Sequence, residues 1–381
     1  MAALTPHARR VILALATLYA AVVVPIQLHK GGDFKPELGQ SERLLRGEAL
    51  YTANEVEGVW WPPFSALALV PFTLLARASF PLAKVAWAVL GVACLAWSVT
   101  RVRAPTWSRV ALATAAVAVP IQTNFEHANI NTILLALVVA AATDVANGRE
   151  ARAGLWIGIA TALKALPGLL LAYLAYRRRW NAFGVGVAAA VGLTALTLLP
   201  YGPSGALTAV REWVALAGKS SDLVSPSNQS LAALVSRLAM SPAVGWALGL
   251  VCLTAAAIAF RQRPTSDVMA RELAVVTLLA VLLSPIAWVH YYVLLLPAWA
   301  AAFELSDDVP RRSWWYAGLA AAGLATSGLL TVGPHPLRWV LLQGSVYTWG
   351  ALLLFLLLLL VLRLQRSPLP THPPVDASSL T

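Results

Sequence analysis

Residues 340–362 read VLLQGSVYTWGALLLFLLLLLVL, an apolar run without a charge, bounded by Arg338 on one side and Arg363 on the other. Crossing the hydrocarbon core of a bilayer takes about 20 such residues in a helix. Comparable runs recur at about 11–28, 61–78, 82–100, 108–124, 129–146, 153–176, 182–200, 242–260, 272–288, 289–305 and 313–331. Across the 381 residues, 59% are hydrophobic and only 12% charged, with a mean hydropathy of +0.70. Soluble domains carry about 25% charged residues, so a chain this apolar must have lipid as part of its solvent. Inside lipid the backbone has to satisfy its own hydrogen bonds, which leaves helix bundles or closed barrels. Barrel strands alternate apolar and polar residues over short segments, and these runs do not. The expected fold is all-α, a polytopic bundle of roughly eleven to thirteen membrane helices.

Lys and Arg outnumber Asp and Glu by 28 to 17, for a net charge of +11. In a soluble chain that balance would point to nucleic acid. Here the cations sit in short loops between apolar runs, where they set orientation and meet anionic headgroups, and no nucleic-acid partner is expected. Arg9-Arg10 before the first run places the N-terminus in the cytoplasm. Arg177-Arg178-Arg179, Arg261 to Arg263, Arg311-Arg312 and the cluster at 363–366 place further loops and the C-terminal end there. The first run is longer than a signal-peptide core and lacks a clear cleavage site after it, so it is read as a retained helix. Strict alternation puts Arg101, Arg103 and Arg109 outside, against the positive-inside trend. One segment in the first half is therefore re-entrant or broken, and 153–176, interrupted by Lys164 and Pro167, is the suspect. Residues 1–366 are read as one transmembrane domain with an outer loop over 29–60, and the Pro- and Ser-rich 367–381 as a disordered cytoplasmic tail.

Chemistry has to be sought among polar residues that a bilayer should reject. Asp33 follows the outer end of the first run, where a carboxylate can serve as a general base or stand as a solvated juxtamembrane acid. His290 lies at an outer boundary within Ser284-Pro285-Ile286-Ala287-Trp288-Val289-His290-Tyr291-Tyr292, suited to binding phosphate or to packing in the aromatic belt. Lys164 interrupts an apolar run far from its ends and needs an anionic ligand, an ion-pair partner or a polar cavity. Glu126, His127, Asn129 and Asn131 cluster between two runs, and Asn228-Gln229 closes the 201–241 outer loop. The 15 Trp residues suit interfaces and sugar-facing surfaces. Cys94 and Cys252 lie in apolar runs and read as small hydrophobes. There is no Walker loop, G-x-G-x-x-G or H-E-x-x-H pattern, so no nucleotide or metal site is expected; an enzyme of this kind would take its donor from the membrane.

Read in order, these pieces resemble glycosyltransferase family 87, polyprenyl-phosphate-mannose-dependent mannosyltransferases with the GT-C membrane fold. The family's early Asp and its A-x-x-L-L-x-G-x-x-L-Y stretch are matched by Asp33 and by Ser41-Glu42-Arg43-Leu44-Leu45-Arg46-Gly47-Glu48-Ala49-Leu50-Tyr51. Its Y-P-P is met by Trp61-Pro62-Pro63, and its G-Q-x-N by Ala128-Asn129-Ile130-Asn131 with the Gly and Gln replaced. Its K-x-x-P is met by Lys164-Ala165-Leu166-Pro167, and its N-Q-S by Asn228-Gln229-Ser230. Its S-P-x-S-W-x-H-H is met by Ser284 to Tyr291, with Tyr291 replacing the second His. The match runs from the first helix to about residue 305. The resemblance implies transfer of a hexose, mannose first, from a polyprenyl-phosphate donor to the hydroxyl of a glycan or glycolipid acceptor, at the outer face of a bacterial-type cell membrane. It implies inversion at the anomeric carbon, Asp33 as the catalytic base and no cofactor or metal. His290 and Lys164 are then the donor-phosphate ligands. Tyr51, Trp60, Trp61, His127, Asn129, Asn131, Asn228, Gln229 and Tyr291 are the substrate-binding candidates. A lipid or sugar transporter, or an inactive member of the family that binds polyprenyl lipids, is the alternative.

Overall fold

A computed structural model of the chain describes residues 6–51, 61–104, 106–217, 224–262, 265–309 and 312–364. Trp60 and the tail 367–381 lie outside the described residues. Every regular element among those described is helical, and the helices run between two ends that differ in chemistry. One end gathers the basic loops. The other gathers Asp33, His127, Lys164 and His290.

Helix α1 (Pro6–His29) leads to the second of these ends. The polar stretch after it, expected as a loop, instead folds in part into α2 (Phe34–Arg46), which buries Phe34, Glu37, Leu38, Gln40 and Ser41. Gly47 ends α2 in the left-handed region at φ 67°, its N–H bonded to Leu44 O and the next N–H, of Glu48, to Arg43 O. Glycine reaches this conformation without strain, and the crossed pair of bonds satisfies the last carbonyls of the helix.

The segment 61–78 does not cross. It forms the short helices α3 (Pro63–Ala68) and α4 (Val70–Ala78), and α5 (Phe80–Arg101) begins back at the same end. There Lys84 Nζ donates to the carbonyls of Leu28 at 3.0 Å and Lys30 at 3.1 Å, at the exit of α1. The re-entrant segment is therefore 61–78, and this settles the misplaced arginines. Helix α5 descends to the basic end, where Arg103 pairs with Asp267 at 2.5 Å and Arg109 with Asp307 at 2.6 Å. Both acids neighbour the loops that hold Arg261 and Arg312.

The chain returns through a broken crossing, α6 (Trp107–Ala115) and α7 (Ala118–Glu126), and descends in α8 (Asn131–Ala146). The suspect segment 153–176 is not one crossing but a hairpin. Helix α9 (Glu150–Leu163) rises, the chain turns at Lys164–Pro167, and α10 (Gly168–Tyr176) comes back. The two feet of the hairpin are joined by Arg179 Nη1 to Glu150 Oε1 at 2.6 Å. Arg177, with Tyr173, closes on the buried carboxylate of Glu272 at the same end. Burying that carboxylate is tolerable because the guanidinium and the phenol satisfy it.

Helices α11 (Trp180–Leu198), α12 (Gly202–Ala217), α13 (Leu231–Arg237), α14 (Pro242–Ala259) and α15 (Ser266–Leu283) follow. A 3-10 turn over Val289–Leu295 then leads into α16 (Leu296–Leu305), α17 (Arg312–Ser327), α18 (His335–Gln343) and α19 (Val346–Leu364). The run at 340–362 is thus divided between two helices. Gly344 and Ser345 break it, Ser345 at φ 60°, and the Arg237 guanidinium donates to the Ser345 hydroxyl at 3.1 Å. Five stretches among the described residues are long and apolar enough to cross by themselves: Arg10–His29, Phe80–Arg101, Trp180–Ala217, Pro242–Ala259 and Val346–Arg363. Their outward faces stay apolar, as with Leu13, Leu15 and Leu18 on α1 and Trp246, Leu250 and Val251 on α14, which is what a lipid solvent requires. The chain is a multi-pass membrane protein.

The α9 hairpin lies against α11 with almost no side chain between them. A Cβ on Gly154 would stand 2.0 Å from Ala182 O, and one on Gly158 would stand 2.3 Å from Gly186 O. Small residues four apart let helix backbones meet where lipid supplies no hydrophobic drive. Gly154→Val is expected to force the hairpin off α11, destabilising the fold by about 1–3 kcal/mol and lowering the detergent-solubilised melting temperature. Gly192→Ala, where the added Cβ has open space, should leave that temperature nearly unchanged.

Candidate active site

A cavity of about 1140 Å³ opens at the end of the bundle away from the basic loops. Its walls come from the start of α2, the α7–α8 connection, the turn of the α9 hairpin, the loop before the 3-10 turn, and the segment that enters α18. Four of these are chain breaks. Each interrupts a helix where its neighbours leave room, so polar side chains reach the cavity although the surrounding segments are apolar.

Asp33 sits one residue before α2. Its N–H donates to His127 O at 3.1 Å, and the nearby Gly31 N–H donates to Glu126 O at 2.7 Å, so the exit of α1 is stitched to the end of α7. The carboxylate accepts from Asn129 Nδ2 at 2.7 Å and stands 3.7 Å from His127 Nδ1. About a third of the side chain stays open. Burial by itself would raise this acid, but His127, the His290 ring and the Asn129 amide outweigh it and hold the carboxyl down at about 2. Asp33 in turn raises His127 above the ordinary histidine value, against the opposing effect of burial.

Lys164 is buried and its ammonium is solvated by the protein. It donates to Asn129 Oδ1 at 3.3 Å and Asn131 Oδ1 at 3.1 Å, and lies 3.6 Å from the centre of the Tyr291 ring and 5.8 Å from that of Trp61. A cation over an aromatic face is stabilised most when desolvated. Asn131 uses its other end to donate to His290 O at 3.1 Å. The His290 ring lies 5.1 Å from that of His127, and its Nε2 is buried without a hydrogen-bond partner in the protein. A buried imidazole nitrogen in a cavity wall needs a hydrogen-bond partner, and a substrate oxygen is chemically suited to be one.

The connection that carries Asn129 is itself strained. Ala128 adopts φ 52°, and its carbonyl accepts the Trp87 indole N–H at 2.8 Å. A residue with a Cβ in this region costs about 1 kcal/mol or more, which accounts for the glycine that the resemblance expects at this position.

The expected site residues therefore divide. Asp33, His127, Asn129, Lys164, His290, Tyr291 and Trp61 line one cavity. Asn131 is fully buried behind it and orients Lys164 and His290. Asn228, Gln229 and Tyr51 were expected to touch substrate, and the structure gives them other work. Asn228 Oδ1 accepts from the N–H groups of Ser230 at 3.1 Å and Ala287 at 3.0 Å. Gln229 Nε2 donates to Leu342 O at 2.8 Å, and its main-chain N–H donates to Ala287 O at 2.7 Å. The Tyr51 hydroxyl donates to Trp61 O at 2.8 Å. All three are buried clamps that hold the loops at this end together and are absent from the cavity wall. Two charged lining residues are not singled out by the sequence reading, Glu37 and Arg338. Glu37 lies one turn after Asp33 on a helix that had been read as loop; the spacing of Phe34, Leu38 and Ser41 was the signal for it. Arg338 looked like the charged flank of a span.

Among the described residues no group of three or more His, Cys, Asp or Glu stands close enough to hold a metal ion. A sequence profile of glycosyltransferase family 87 matches residues 60–285. Over 329 residues the chain is 27% identical to a polyprenol-phosphate-mannose-dependent alpha-(1-2)-phosphatidylinositol mannoside mannosyltransferase of Mycolicibacterium smegmatis, covering 76% of this chain and 73% of that protein. Over 250 residues it is 29% identical to a polyprenol-phosphate-mannose-dependent alpha-(1-2)-phosphatidylinositol pentamannoside mannosyltransferase of Mycobacterium tuberculosis, covering 62% of this chain and 56% of that one. The crystal structure of ArnT from Cupriavidus metallidurans bound to undecaprenyl phosphate superposes with a TM-score of 0.45 at 19% identity, covering 92% of this chain and 76% of that one.

The Asp33–His127 contact predicts a titration. His127 should take its proton above the ordinary value of about 6.5, and the favourable pairing should be full below that value and fade as pH rises through the shifted one. Asp33→Asn should return the His127 midpoint toward or below 6.5, measured by NMR of isotope-labelled histidine. An unchanged midpoint would remove Asp33 as the cause.

Proposed function

The chain belongs to glycosyltransferase family 87, and on that premise we propose that it moves mannose from a polyprenyl-phosphate donor to an acceptor hydroxyl, with Asp33 as the base. The observation that carries this reading is the Asp33 carboxylate: ionised, part open and held by Asn129 and His127 on the wall of a cavity that also contains the buried Lys164. The names of the two mannosyltransferase relatives support the donor and favour a glycolipid acceptor of the phosphatidylinositol mannoside kind.

The chemistry needs little more than the cavity offers. The sugar's anomeric carbon already carries phosphate, a good leaving group, so no acid has to protonate it. The acceptor oxygen attacks that carbon, the bond to the phosphate oxygen breaks, and the acceptor proton passes to Asp33. A single displacement of this kind inverts the anomeric centre. A carboxylate with a value near 2 is a weak base, and takes the proton late, once bond formation has made the acceptor oxygen acidic. Charge then builds on the departing phosphate. His290, whose Nε2 is buried without a partner among the described residues, and Lys164 are the proposed groups that meet it without reorganisation. Trp61 and Tyr291 give the sugar ring flat apolar walls. The reaction is proposed to be metal-independent. The cavity end faces outward, both chain ends face the cytoplasm, and the membrane is a bacterial-type cell membrane, in keeping with the basic loops at the opposite end.

The test uses purified protein in liposomes with radiolabelled polyprenyl-phosphate-mannose and a phosphatidylinositol mannoside. Wild type should yield labelled glycolipid. Asp33→Asn, with an unchanged melting temperature, should lose about 10²–10⁴-fold in rate. Equal rates would remove Asp33 from its role, and no product from wild type would reject the reaction. Excess EDTA should leave the wild-type rate unchanged; a loss restored by a divalent cation would overturn metal independence.

A further inference from the structure

Arg338 is the third cavity cation, and nothing so far has used it. It stands on α18 and lines the cavity together with Thr331, Leu342 and Tyr347. Its side chain is exposed, and among the described residues no carboxylate or other acceptor is paired with its guanidinium. The other cations on the wall are engaged. Lys164 is held by two amide oxygens and an aromatic face, and His127 faces Asp33. Beside Arg338, Leu337, Trp339 and Val340 on the same helix and Leu329, Leu330 and Val332 before it are all exposed, with His335 stacked on Trp339. A guanidinium on a cavity wall, without a partner among the described residues and with exposed apolar side chains beside it, fits an anion that carries a hydrocarbon chain. Guanidinium matches phosphate geometry with paired hydrogen bonds.

We propose that Arg338 holds the phosphate of the polyprenyl-phosphate donor, with the prenyl chain leaving the cavity over the apolar collar of α18. This rests on the function proposed above and deepens it. During transfer the donor's phosphodiester, with one negative charge, becomes a phosphate monoester that carries up to two. A cation at that phosphate therefore binds the departing group more tightly than the intact donor and contributes to the rate as well as to affinity. The acceptor's lipid phosphodiester offers similar chemistry but gains no charge in the reaction, and the experiment separates the two.

Binding is measured apart from turnover. Wild type, Arg338→Gln and Arg338→Lys, each full length in detergent, are titrated with radiolabelled undecaprenyl phosphate, undecaprenol and phosphatidylinositol. Arg338→Gln should weaken undecaprenyl phosphate at least tenfold, Arg338→Lys should recover part of that, and undecaprenol and phosphatidylinositol should bind all three alike. Wild-type affinity for undecaprenyl phosphate in Arg338→Gln would overturn the proposal. So would an equal loss for undecaprenol, which marks a packing role, or a loss confined to phosphatidylinositol, which moves the residue to the acceptor. Asp33→Asn should bind undecaprenyl phosphate as wild type does. A catalytically inert wild type that still shows the Arg338-dependent binding would reject the transfer reaction and leave the phosphate site standing.

Discussion

The site is organised around one buried ammonium. Lys164 enters the bundle at the turn of a helical hairpin, where lipid and apolar side chains offer it nothing, and a lysine left unsolvated there costs several kcal/mol. Two asparagine carbonyls and the face of Tyr291 supply the solvation. Because each amide turns its oxygen to Lys164, its NH₂ must point away, and that end does further work. Asn129 donates to Asp33, and Asn131 to the backbone of His290. The direction of both amides follows from the cation, since an amide can present an acceptor to only one side. One charge thus aligns the base and the orphaned imidazole in a single network.

That network explains why so many crossings are broken. A continuous membrane helix satisfies its backbone internally and presents only side chains. Interrupting α6 from α7, α9 from α10 and α18 from α19 brings loops, polar side chains and short helical ends to the level of the cavity. Irregular backbone is tolerated at that depth because it is packed in protein or lines polar space. The cost appears where it can be seen, in the left-handed Ala128 and Ser345. Buried clamps keep the interruptions from loosening: Asn228 and Gln229 tie the loops at the cavity end to each other, and Arg237 ties α13 to the break at Ser345.

The opposite end is built on a different economy. There the arginines are paired with acids from neighbouring helices, Arg103 with Asp267, Arg109 with Asp307, Arg177 with Glu272. These pairs hold the feet of the helices in register. They also make this end strongly polar, in contrast to the apolar spans between the two ends. Asp33 and Arg338 lie at the far end, in the lining of one cavity.

Composition and run length were enough to establish a helical membrane protein, because lipid leaves so few backbone solutions. The order of short motifs was enough to place Asp33, Lys164 and His290 in one family pattern. Two kinds of fact were out of reach. Apolar length does not say whether a segment crosses, re-enters or turns back: Lys164 and Pro167 marked 153–176 as suspect, but nothing marked 61–78, and neither is a single crossing; that outcome depends on which helix each end meets. Nor does a motif say whether a polar residue faces the cavity or braces it. Asn129 and Asn228 look equivalent along the chain, yet one touches the carboxylate and the other is sealed between loops. The helical periodicity of α2 was present in Phe34, Leu38 and Ser41 but was masked by the charges around it. Arg338 was visible only as the flank of an apolar run. Which side of a helix faces the cavity is decided by packing between segments distant in sequence, and only the tertiary structure carries that information.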